Sequence, residues 1–276
     1  MLAAFGFAFW PTFGYWWSVW TAEQSPFGFG YFVPPTVAFL IWARRKKIAD
    51  EPKRPGSAWI LLPILLAVVL QCLALIARIN VLQSASFLVL AMTVPYLVWG
   101  GKVYRHIWGA LAYFATMLPW PEQIHGRLLL PSQELSTALS TRLLGWTGVP
   151  TLVEGTTVNT PHYGFEVAAA CSGLTILFPV ISIVILTAMM LRAPWWKLGA
   201  LLILAFPLSV FANAVRIWAI AMIGEFKGAE LANTLHDPSG WMAVIFATFV
   251  LMGLTALLRC TEYKPEYMPT FEEETR

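Results

Sequence analysis

Arg216 is the residue whose setting most needs a chemical explanation. It is the one charge in an otherwise uncharged run from Leu198 to Gly224. A charge inside a transmembrane helix costs at least ~2.5 kcal/mol on insertion scales. Asn213 lies three residues earlier, on the same helical face, so that face should point inward or into a wet cavity. The plainer reading is an arginine that snorkels to the headgroups. Cys171 stands in Ala-Ala-Ala-Cys-Ser-Gly, at the start of the preceding apolar run. A thiol at a helix N-terminus feels the macrodipole, which favours the thiolate. Ser172 and Gly173 follow it, and Gly173 would let a substrate backbone come close. The plainer reading is a small buried hydrophobe, which Cys72 and Cys260 take. His236, in Leu-His-Asp-Pro-Ser-Gly-Trp, could serve as general acid and base. Its plainer reading is an interfacial imidazole solvated beside Asp237. His106, His125 and His162 are weaker candidates, with His162 held in reserve because it falls close before Cys171.

The elements that must position these residues are read from composition. Of 276 residues, 58% are hydrophobic and 12% charged, with 14 Trp and 18 Phe. A soluble domain carries about 25% charged residues. So few charges could not cover a soluble surface, and disorder, a collagen-like fibre and a disulfide scaffold are excluded as well. Three widely spaced cysteines (72, 171 and 260) argue against disulfides, and no His/Cys cluster suggests zinc. No cofactor motif and no nucleic-acid surface is present in the sequence.

The expectation is an all-α polytopic membrane protein of about eight helices, forming one integral membrane domain over 1–276 with the lipid bilayer as its partner. The apolar runs are 1–22, 24–43 (bent near Pro34 and Pro35), 57–77, 81–101, 106–121, 172–191, 198–224 and 238–258. The run 1–22 lacks the basic n-region and cleavage site of a secretory signal. With eight helices, Arg44, Arg45, Lys46, Lys47, Lys53, Arg54, Lys102, Arg105, Arg192, Lys197, Arg259, Lys264 and Arg276 share one side. The positive-inside rule then puts both termini in the cytoplasm. The segment 122–171 is expected on the outer face. Leu135, Leu139 and Leu143 suggest an amphipathic helix lying on the bilayer surface, and Thr151 to Thr160 a short β-hairpin. The stretch 172–258 would hold the chemistry, and 259–276 would be a cytoplasmic tail ending in the acidic Glu272 to Glu274.

This topology puts a thiol, an imidazole and a guanidinium at the outer ends of three helices. Such a set supports acyl transfer: Cys171 attacks a peptide carbonyl, His236 protonates the leaving amine and Arg216 stabilises the oxyanion. Glycine-flanked helix ends would admit an extended peptide. Two rivals belong to other classes. One is a non-enzymatic transporter or export partner of an exopolysaccharide system, with Arg216 on an anionic headgroup. It would be marked by further midplane charges or paired repeats. The other is an acyltransferase using His236 as base, in which Cys171 is dispensable.

These residues carry a resemblance. The chain resembles the exosortase/archaeosortase family of multipass membrane cysteine transpeptidases. The core is Ala170-Cys171-Ser172-Gly173, then Asn213-Ala214-Val215-Arg216, then His236 with Gly240-Trp241 behind it. Weaker similarity covers Trp16, Trp20, the Ser25-Pro26-Phe27-Gly28-Phe29-Gly30 loop, and Val33-Pro34-Pro35 before a helix ending in Arg44-Arg45. Ala169 stands where members often have an acid, with Glu166 the nearest, and Phe27 stands where they often have a histidine. The resemblance implies Cys171 as nucleophile, Arg216 as oxyanion stabiliser and His236 as acid/base, with Ser172, Gly173, Asn213, Asp237 and Gly240 in support. It implies substrates that are secreted proteins tethered by a C-terminal sorting tail: a Pro-Glu-Pro-like motif, one membrane helix and a basic end. These are cut at the outer face of the inner membrane and passed to an acceptor, in bacteria often alongside exopolysaccharide loci. No metal or other cofactor is implied.

Overall fold

The computed structural model describes residues 6–23, 25–167, 171–260 and 262–267. Ala169, Ala170, Gln24 and the acidic end Glu272 to Glu274 lie outside them. The described chain is predominantly helical. Four helical stretches are long and apolar enough to cross a membrane by length and composition: Ala58–Ala77, Asn80–Met117, Trp195–Lys227 and Ala229–Leu257. Gly30–Ala43 and Leu174–Met190 are shorter apolar helices. Contacts cluster into two compact units, one of 1–22, 29–120 and 263–276, the other of 23–28 and 121–262.

The first unit contains α1 (Trp10–Thr21), α2 (Val33–Ala43), the short basic α3 (Arg45–Ala49), α4 (Leu61–Ala77) and α5 (Asn80–Ala112). The expected bend near Pro34 and Pro35 is instead the start of α2. Both prolines fall in its first turn, where a missing N–H breaks no helical hydrogen bond. Buried polar side chains tie α1 to its neighbours: Thr12 donates to Gln83 at 2.9 Å, and the Trp16 indole donates to Ser84 at 2.8 Å. Inside α5, Gly100 has φ 77° and ψ 175°. The chain doubles back there. Phe87 and Phe114 lie 5.7 Å apart between ring centroids, and Tyr96 and Tyr104 lie 5.4 Å apart. In a straight helix at 1.5 Å per residue the phenylalanines would be roughly 40 Å apart. The expected runs 81–101 and 106–121 are thus the two arms of one helical hairpin. Only glycine fits its tip, since a Cβ would meet the Arg54 carbonyl oxygen as well as a positive φ.

The second unit contains α6 (Glu122–Trp146), three short strands, α7 (Leu174–Met190), α8 (Trp195–Lys227) and α9 (Ala229–Leu257). The strands β1 (Leu152–Glu154), β2 (Thr157–Asn159) and β3 (Gly164–Glu166) form an antiparallel sheet in that order. The hairpin expected over 151–160 is β1–β2. Gly155 (φ 63°) takes the first of its two loop positions, as a type II′ turn requires. The third strand was not expected.

The helix expected in 122–171 is α6. The buried face of α6 carries Ser132, Ser136, Thr137, Ser140 and Leu144, while Leu135 is exposed. Small, hydroxyl-bearing side chains on the packed face let the helix approach its neighbours closely. Ser136 Oγ and the Ser209 carbonyl each lie 3.6 Å from the position a Cβ on Gly173 would take. Eight residues on, Leu144 joins Ile217 and Ala221 of α8 in one buried cluster. α6 therefore runs alongside α8, in the same direction, and does not lie flat across its end.

Candidate active site

Three elements of the second unit meet at Cys171. The chain leaves β3, passes Cys171 and Ser172, and starts α7 at the N-cap Gly173, whose φ is 88°. That left-handed cap sets the turn that presents the thiol. Ser172 Oγ accepts from the Leu174 N–H at 3.3 Å, which satisfies one of the otherwise unpaired donors of the first turn. Gly173 lies beside Asn213 and Ser136, whose Cβ and Oγ are 3.5 and 3.6 Å from where a Cβ would sit, an ordinary contact distance.

Cys171 is 4% exposed, within a cluster of Leu144, Val149, Val158, Val167, Ile217 and Ala221. Its Sγ lies 3.0 Å from His236 Nε2. On the other side of the ring, Nδ1 lies 3.2 Å from Asp237 Oδ1. A proton on Nδ1, donated to the carboxylate, leaves Nε2 free to take the thiol proton. The order nucleophile, base, carboxylate is that of an activated cysteine. His236 is not ahead of its helix as expected but on the second turn of α9. The helix begins at Ala229 and carries Pro238 inside it.

Asn213 and Arg216 both face this site from α8. Asn213 is fully buried, and its Nδ2 donates to the Cys171 carbonyl. Its Oδ1 is a buried acceptor with no protein partner among the described residues. Arg216 is 6% exposed. Its Nε donates to Ser239 Oγ at 2.8 Å and its Nη2 to the His236 carbonyl at 2.9 Å, and Ser239 donates to the same carbonyl. This excludes the snorkelling reading, since the guanidinium turns inward onto α9. Gly240 lies beside it: a Cβ there would be 3.7 Å from the guanidinium carbon, an ordinary contact distance.

The remaining histidines lie elsewhere. His162 bonds Glu225 through its main-chain N–H (3.0 Å) and Nδ1 (2.6 Å). His125 stacks on Phe178, and His106 pairs with Glu51. Cys72 is exposed and Cys260 buried, and neither is bonded to another cysteine. Among the described residues no group of His, Cys, Asp and Glu could hold a metal ion.

Sequence reasoning missed Ser239, Ser136 and Tyr163. Tyr163 packs on Gly224 and donates to Asn233 Oδ1 at 3.1 Å. Burial pushes its phenol above the ordinary range, and the negative charge of a Cys171 thiolate pushes it further. A one-turn spacing from His236 was the only available sign for Ser239. Nothing in the sequence marked the other two.

Fold and site together define a multipass helical membrane protein with a cysteine–histidine pair held between three helices. The chain matches the family model of the transmembrane exosortases over residues 16–253. It belongs to that family. No curated protein and no solved structure matches it.

Proposed function

We propose that the protein is a cysteine transpeptidase of the exosortase type, with Cys171 as nucleophile, His236 as acid and base, and Arg216 beside them. The observation that carries this is the 3.0 Å approach of Cys171 Sγ to His236 Nε2, with Asp237 on the far side of the ring. Membership of the transmembrane exosortases supports a membrane transpeptidase-like role.

In this reading His236 Nε2 takes the thiol proton and Sγ attacks the scissile carbonyl carbon. The carbon–nitrogen bond then breaks, the leaving amine takes the proton back from His236, and a thioester remains on Cys171. An acceptor amine resolves it. Its proton passes to His236, a new amide forms, and the thiol is restored. Arg216 has five N–H donors, of which Ser239 and His236 occupy two. The rest are available to a developing oxyanion. The supporting roles are positional: Asn213 and Ser172 fix the nucleophile's backbone, Gly173 its turn, Asp237 the imidazole and Gly240 the guanidinium.

The substrates in this reading are secreted proteins tethered by a C-terminal sorting tail with a Pro-Glu-Pro-like motif. The site faces outward across the inner membrane and both termini are cytoplasmic, as the distribution of basic residues supports. The rival reading, an export partner using Arg216 to bind an anionic headgroup, is disfavoured by the burial of Arg216 and its bonds to α9.

The test is co-expression with a reporter made of a soluble domain, a Pro-Glu-Pro-like motif, one membrane helix and a basic end. Wild type should shorten the reporter, while Cys171→Ala and Cys171→Ser should accumulate in the membrane and leave it whole. Normal processing by both variants would refute the proposal.

A further inference from the structure

The small sheet has two edges, and they are not equivalent. In the β2–β3 pair, the main-chain bonds Val167 N–H to Thr156 O (2.9 Å) and Thr160 N–H to Tyr163 O (2.8 Å) set which residues bond inward. With Val158 opposite Phe165, alternation makes residues 163, 165 and 167 the inward-bonding ones. Gly164 and Glu166 therefore turn their N–H and C=O away from β2, and both residues are exposed. These two residues offer donors and acceptors at a spacing of two, the template an extended peptide pairs with.

The position of this edge is set by its anchors. Phe165 packs with Tyr163, Ile220 of α8 and Ala232 of α9, beside Leu235. Tyr163 bonds Asn233, and His162 bonds Glu225. On the same face Val158 and Val167 pack against Cys171. β3 is thus the strand nearest α9, with β1 on the far side of β2. The face that carries Phe165 and Val167 packs in the clusters that hold Cys171 and Leu235, and the chain reaches Cys171 five residues after Glu166.

We propose that the edge Gly164–Glu166 takes an extended segment of the membrane-tethered substrate as a fourth strand, which lays its scissile carbonyl beside Cys171. This rests on the cysteine transpeptidase reading and adds how the substrate is held. Main-chain pairing places the peptide while leaving side-chain choice to few contacts.

The matched control is the other edge. In β1, Leu152 and Glu154 bond toward β2 and Val153 turns its main chain outward. Glu166→Pro and Val153→Pro each remove one outward N–H and leave the ladder to β2 intact, the placement in which a strand tolerates proline. In a background with Cys72 and Cys260 changed to serine, Glu166→Pro should lower reporter processing about tenfold or more. Its Cys171 should still alkylate with iodoacetamide at the wild-type rate. Val153→Pro, on the other edge, should stay within about threefold of wild type. Wild-type processing by Glu166→Pro, or equal losses from both prolines, would overturn the proposal.

A photo-crosslinking residue at 166 in the Cys171→Ala protein reads docking even where Glu166→Pro fails to fold. It should capture the reporter, and the same residue at 153 should not. Equal capture at both positions, or none at 166, overturns the docking edge. Processing by Cys171→Ala instead overturns the nucleophile, so the two failures are distinguishable.

Discussion

The Nη2 of Arg216 donates to the main-chain carbonyl of His236 at 2.9 Å. The one charge buried deep in α8 therefore holds the turn of α9 that presents the imidazole. Ser239 closes the arrangement by accepting from Nε and donating to the same carbonyl. Arg216 lies 11 residues before the end of α8 at Lys227, roughly 16 Å along the axis, so its interactions are made within the helix bundle.

Arg216→Gln should lose one or two charge-assisted hydrogen bonds, each about 1.5–3 kcal/mol. The expected result is a fall of roughly 10- to 100-fold or more in processing rate, with the protein still accumulating in the membrane. Ser239→Ala, which leaves the guanidinium–carbonyl bond in place, should lose less than Arg216→Gln. Reporter turnover by both variants checks the order, and a larger loss in Ser239→Ala would contradict it.

Gly173→Ala places a Cβ on a residue with φ 88°. The left-handed conformation costs a non-glycine residue roughly 1–2 kcal/mol. The space itself is adequate, because the nearest atoms would be 3.5 Å away. A lower melting temperature in detergent and slower processing are expected together. An unchanged melting temperature would show that the turn relaxes.

Asn213→Ala leaves the buried Cys171 carbonyl without its donor. An unpaired buried group of this kind costs about 1–3 kcal/mol. Processing should fall while Cys171 remains alkylatable, because the amide places the nucleophile's backbone and does not itself react. Loss of alkylation together with processing would show a collapsed site instead.

In the first unit, Glu266 bonds Lys47 at 2.9 Å and lies 3.5 Å from Arg44 Nε. Burial pushes its carboxyl up, but the Lys47 bond and the two cations more than reverse this, so it sits below the ordinary carboxylate range. Its folded value is the lower one, so its contribution is present above the ordinary range and is lost as pH falls through the folded value. Limited proteolysis near residue 263 should accelerate over that acid window in wild type. Glu266→Gln should already be cleaved faster at neutral pH and show little change on acidification.

Much of the site was legible because a chain with so few charges makes each buried one conspicuous. Arg216 stood out in this way and drew in Asn213 on its face, and the two fall with His236 on α8 and α9 around Cys171. The pairing of Arg216 with Ser239 was not legible, because it depends on α9 starting at Ala229 and running through Pro238. Polar residues at 230, 233, 234 and 237 masked that early start. β3 escaped notice because Gly-Phe-Glu is only three residues long and is held by pairing with β2. The packed side of α6 was not legible from its leucines: Leu135 is exposed, while Ser132, Ser136 and Ser140, one position round the helix, are buried. The apolar runs on either side of Gly100 were visible in the sequence, whereas their joining into one helical hairpin came from the tip contact with Arg54 and the facing aromatic rings.

The most direct test of the central claim is mass spectrometry of the enzyme incubated with the reporter and no acceptor amine. The account predicts that the fragment containing Cys171 gains the mass of the reporter's cleaved N-terminal product, that hydroxylamine releases it, and that Cys171→Ser does not form it. Processing of the reporter by Cys171→Ala, or an adduct on any other residue, would contradict it.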